Sequence, residues 1–153
     1  MGRRLAILLL LVLLTPYFAF ADAIEELERR GIDRGAIEKA RMTIYENTQY
    51  KGLNAAIYYC DLLPTKINID GQISATKRIK GRSGNPSYTR LEGLDESYAI
   101  NTMEIKEQKK LYKSAFGKSL NPKICKKKED LSLQLDNLHD RLLLKAFAAQ
   151  VAK

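Results

Sequence analysis

His139 is the only histidine in the 153-residue chain, and Cys60 and Cys125 are its only cysteines. An imidazole can act as a general base or ligate a metal near neutral pH, and a thiolate can act as a nucleophile. His139 stands between Leu138 and Asp140, with Asp136 and Asp140 beside it at helical spacing. A metal centre draws on several ligands converging from different parts of the chain. One histidine among aspartates on a polar helix face does not supply them. No Ser–His–Asp set and no H-E-x-x-H stretch can be assembled from the sequence. The paired carboxylates Glu25-Glu26 and Asp95-Glu96 sit near expected helix starts, where negative charge offsets the helix dipole. No catalytic residue, metal ligand or cofactor site is therefore expected. A small hydrolase or redox enzyme built on His139 or Cys125 is the enzymatic alternative.

The basic residues are more suggestive. The formal net charge is +8, and it is concentrated. Residues 66–128 hold fifteen basic and six acidic side chains, between flanks that are nearly neutral. Lys77, Arg78, Lys80 and Arg82 form one cluster. Lys106, Lys109, Lys110, Lys113, Lys118, Lys123, Lys126, Lys127 and Lys128 form a second. Tyr88, Tyr98 and Tyr112 are interspersed. Such a distribution attracts anionic partners and raises association rates. Its simpler meaning is solubility, because lysines on exposed helix faces are ordinary.

The N-terminus bears on which anions the chain would meet. Gly2-Arg3-Arg4 is a short positive start, Leu5–Leu14 is an unbroken apolar run, and Thr15-Pro16 ends it. Ala19-Phe20-Ala21 has the small-x-small pattern of a signal-peptidase site. These features predict a secretory signal peptide over 1–21, cleavage between Ala21 and Asp22, and one mature domain over 22–153. The apolar run is short of the about 20 residues needed to span a bilayer. Retention as an N-terminal anchor is the alternative. The residue after the predicted cleavage site is Asp22 rather than a lipid-accepting cysteine. Loss of Arg3 and Arg4 lowers the net charge by two. In a periplasmic or secreted setting nucleic acid is an improbable partner. A partner protein comes first, and anionic lipid or polysaccharide second.

Export also sets the cysteine chemistry. An even cysteine count in an oxidising compartment predicts a Cys60–Cys125 disulfide. Closing a loop of about 65 residues would contribute about 4 kcal/mol on chain-entropy grounds. The rival is a reactive Cys125 thiolate favoured by Lys123, Lys126, Lys127 and Lys128.

The elements that must position these residues read as helices. Ala23–Arg30 forms a short helix stopped by Gly31. Asp33 caps a second, with Ile32 and Ile37 placed as a hydrophobic staple, and this helix fades near Asn47. Gly52 breaks the chain, Leu53–Leu63 is apolar on nearly all sides, and Pro64 ends it. Asp70-Gly71 between alternating isoleucines raises the possibility of a short β-hairpin over Ile67–Ala75, against a helix over Gln72–Lys80. Gly81–Ser87 is a loop by composition. Its glycines, serines and Arg82 could face a phosphate, but it lacks P-loop spacing. Leu94–Phe116 reads as a long helix closed by Gly117. A last helix runs from near Lys128 to about Val151, with Leu131, Leu135, Leu138, Leu142, Ala146 and Ala149 as its inner stripe. The fold class expected is all-α, with about five helices.

Overall fold

The computed structural model describes the backbone of residues 23–83 and 88–151 and the side chains of 23–77 and 92–151. The expected signal segment, with its cleavage site at Asp22, lies outside the described residues. The fold is all-α, and no strand occurs among the described residues. In chain order the elements are α1 (Ala23–Arg29), α2 (Arg34–Tyr45), α3 (Thr48–Ser83), α4 (Tyr88–Phe116), a 3-10 helix (Pro122–Lys127), α5 (Lys128–Ala146) and α6 (Ala148–Val151). The chain divides into two compact units, one of residues up to Met42 with Asp140–Lys153, the other of Thr43–His139.

In the first unit, local chemistry sets the boundaries. Gly31 adopts a φ of 79°, which a side-chain-bearing residue rarely takes. This lets the Ile32 N–H donate to Leu27 O at 3.0 Å and the Gly31 N–H to Glu28 O at 2.9 Å, the paired bonds of a Schellman stop. Asp33 then caps α2, its carboxylate accepting from the Ala36 N–H at 3.1 Å. Leu27, Ile37, Leu143 and Phe147 are buried, and Arg30 donates to Val151 O at 3.1 Å. The last helix is interrupted at Phe147, whose N–H bonds Leu144 O at 3.3 Å rather than continuing the α-helical ladder. Its inward residues near the end are accordingly Leu143 and Phe147, while Ala146 and Ala149 are exposed.

The second unit corrects several boundaries. Asn47 starts α3, its side-chain oxygen accepting from the N–H groups of Gln49 and Tyr50 at 3.0 and 3.1 Å. Gly52 does not break the chain; it lies inside this 36-residue helix. A Cβ placed on Gly52 would come within 2.3 Å of the Ala115 Cβ and 2.8 Å of the Phe116 ring. The glycine is there so that α3 and the end of α4 can approach closely. Pro64 does not end the helix either. Its missing N–H removes one helical bond, a local cost of about 3 kcal/mol. Packing on either side offsets this. Leu62 and Ile69 are buried, and the buried amide of Asn101 on α4 reaches Leu62 O at 3.4 Å. The Pro64 ring itself is exposed.

The hairpin alternative over Ile67–Ala75 is likewise replaced by helix. Its polar residues make helix-spaced contacts. Lys66 pairs with Asp70 at 3.1 Å, Gln72 with Asn68 at 3.3 Å, and the Thr76 hydroxyl donates to Gln72 O at 2.8 Å. Of the alternating isoleucines, Ile69 is buried, Ile73 is half-buried and Ile67 is exposed. That is a helical pattern with a period-2 appearance. The expected loop at Gly81–Ser87 begins later, since α3 runs through Ser83; residues 84–87 and the loop's phosphate reading lie outside the described residues. α4 starts at Tyr88, earlier than Leu94, and Gly117 closes it with φ 65° and a 2.8 Å bond to Lys113 O.

Candidate functional site

The two cysteines form a disulfide, with an S–S distance of 2.04 Å and Cα atoms 5.4 Å apart. It joins the buried Cys60 on α3 to Cys125 in the 3-10 helix. The 3-10 helix is set up by Asn121, which accepts from the Lys123 N–H at 2.9 Å, and by Pro122 at its first position. Cys125 is therefore a crosslink, and the reactive-thiol alternative does not apply to the disulfide-bonded chain.

His139 packs among aromatic rings. Its ring lies 6.2 Å from that of Tyr45, nearly parallel, and 6.4 Å from that of Tyr50. Spacing had assigned it to a solvated face with Asp136; it is half-buried instead. Among the described residues, no group of three or more histidine, cysteine or acidic side chains could hold a metal ion.

The structure divides the lysines into four situations. Lys77 is exposed on α3, while the side chains of Arg78, Lys80 and Arg82 lie outside the described residues. Lys106, Lys109, Lys110 and Lys113 occupy positions i, i+3, i+4 and i+7 of α4, all exposed. Helical geometry places them along one face. Among the described residues, no ion pair engages any of the four. Lys126 and Lys127 are exposed on the 3-10 helix. Lys128 is paired with Asp61 on α3.

Three of the α4 lysines share a recess. Lys109, Lys110, Lys113, Ser119 and Leu120 line an open concavity of about 370 Å³. The turn at Gly117 brings Ser119 and Leu120 beside the last turns of α4. Leu120 is buried and gives the recess an apolar wall. The Lys109 ammonium lies 5.7 Å from the centre of the Tyr59 ring, within cation–π range. Burial raises the Tyr59 pKa above the ordinary phenol value, so the ring stays neutral beneath that cation. A smaller recess, of about 260 Å³, is lined by Cys125, Lys126, Lys127, Lys128, Glu129 and Asp130. Its two carboxylates offset the cations.

Lysine clustering was visible in the sequence. The contributions of Tyr59, Ser119 and Leu120 were not, because they come from another helix or from beyond a turn. Gly117, two residues before Ser119, and the turn residues Leu120-Asn121-Pro122 were the signals that the chain folds back there. None of the described helices is long and apolar enough to cross a membrane. No known protein family, curated protein or solved structure matches the chain.

Proposed function

We propose that this is an exported, non-enzymatic binding protein that acts by contact with an acidic partner protein. The observation that carries this reading is the row Lys106, Lys109, Lys110 and Lys113, exposed on one helix and free of carboxylate partners among the described residues. Lysines bound into surface ion pairs are already compensated; among the described residues no carboxylate compensates these four. Such a row speeds encounter and selects acidic surfaces. The disulfide supports the exported setting, because crosslinks of this kind persist in oxidising compartments. The signal-peptide features at the N-terminus point the same way.

A second reading is binding to an anionic polymer or membrane surface. Lys126 and Lys127 favour it, since they add exposed positive charge on a separate element. A pull-down from the exported fraction at low and high salt, with wild type and a K106Q/K109Q/K110Q/K113Q variant, separates the outcomes. Recovery of a protein by wild type and not by the variant supports the first reading. Recovery of lipid or polysaccharide alone favours the second. Equal recovery by wild type and variant removes the lysine row from both.

A further inference from the structure

We propose that the recess lined by Lys109, Lys110, Lys113, Ser119 and Leu120 is a binding site for a phosphoryl group. This rests on the reading of the α4 lysines as a surface for acidic partners, and it names the anion that one part of that surface selects.

Charge balance is the first argument. Three lysines from one stretch of helix line the recess, and no carboxylate does. Lys109 and Lys113 stand four residues apart, where like charges repel. A carboxylate brings a single negative charge and leaves most of that repulsion in place. A phosphate monoester brings a charge of roughly −1.5 to −2 and three acceptor oxygens. Lysine ammonium groups and a serine hydroxyl are all hydrogen-bond donors to such oxygens. The lining set therefore matches a phosphoryl group in both charge and donor number.

The second argument is the wall. Leu120 is buried and gives one side of the recess an apolar surface beside the lysines. The Lys109 ammonium lies 5.7 Å from the centre of the Tyr59 ring and has no carboxylate partner among the described residues, so its charge stays available. The recess beside Cys125 is the internal contrast. It has three lysines as well, but Glu129 and Asp130 line it and Asp61 pairs with Lys128.

The test is a titration of the disulfide-bonded protein with inorganic phosphate, followed by amide chemical shifts, with acetate at matched ionic strength as the carboxylate control. The expected result is saturable shifts concentrated on residues 109–120, with acetate weaker by about tenfold or more. A K110Q/K113Q variant should bind phosphate at least about tenfold more weakly, since two of three cations are gone. A K145Q variant, at an exposed lysine that does not line the recess, should bind as wild type does. Equal response to phosphate and acetate, or full phosphate affinity in K110Q/K113Q, would overturn the proposal. Capture on phosphatidate vesicles, reversed by inorganic phosphate, assigns the group to a lipid headgroup. Phosphate binding without capture assigns it to a soluble or polymer-borne source. Loss of the phosphate preference while the lysine row still governs binding to an acidic polypeptide would sink this inference alone and leave the broader reading standing.

Discussion

Gly52 shows how much one missing methyl group can matter. A Cβ at this position would meet the Ala115 Cβ at 2.3 Å and the Phe116 ring at 2.8 Å. Helix propensity alone would make Gly52→Ala stabilising. The contact with α4 reverses the sign, because overpacking a close helix contact costs about 1–3 kcal/mol. Urea unfolding should show G52A less stable than wild type; an unchanged or raised midpoint would contradict this packing. Two surface groups set a pH dependence of opposite signs. Glu26 is held below the ordinary glutamate pKa, first by its hydrogen bond with Arg30 and then by that with Arg29. Its contribution is complete above the ordinary glutamate range and is lost as pH falls through the lowered value. Lys66 is held above the ordinary lysine pKa by its hydrogen bond with Asp70 and then by that with Tyr98. Its contribution is complete below the ordinary lysine range and is lost as pH rises through the raised value. The stability gap between wild type and E26Q should therefore narrow in acid, and that between wild type and K66M in strong base. Gaps that stay constant across those ranges would show that neither bond contributes.

At the scale of elements, α3 is the test of local rules against packing. Pro64 lies inside it, exposed, with its helical bond missing. Pro64→Ala restores a donor and should stabilise the fold by up to about 3 kcal/mol, the helix-interior penalty of proline. A thermal melt gives the answer, and a lowered midpoint would mean that the ring is packed to some purpose. The stops that were readable in the sequence are those made by neighbours in the chain. Gly31 and Gly117 take positive φ at helix ends, and Asp33 caps α2. The stops that misled were Gly52 and Pro64, each overruled by contacts made against α3, and the choice left open at Asp70-Gly71 falls to the helix. Asn101 escaped notice for the same reason: a polar residue within an apolar stripe is explained only by Leu62 O on the facing helix. The lysine row was readable because helical spacing alone defines it. The recess was not, since Ser119 and Leu120 reach it through the Gly117 turn.

At the scale of the molecule, the Cys60–Cys125 disulfide ties the 3-10 helix to α3 within the second unit. Its sequence separation of 65 makes the crosslink a large constraint on the unfolded chain. Reduction, or a C60A/C125A variant, should lower stability by about 2–4 kcal/mol in denaturant unfolding. A loss much smaller than that would mean that the non-covalent contacts of the 3-10 helix suffice. The proposed export makes a separate prediction for intact mass: a mature chain beginning at Asp22 and carrying no free thiol. The proposed role of the α4 lysines as a contact surface is decided by the salt dependence of binding to polyglutamate, compared between wild type and K106Q/K109Q/K110Q/K113Q. The account predicts wild-type affinity falling steeply with salt and a clearly shallower slope in the variant, since fewer counterions are exchanged. Identical slopes and affinities for the two proteins would contradict it.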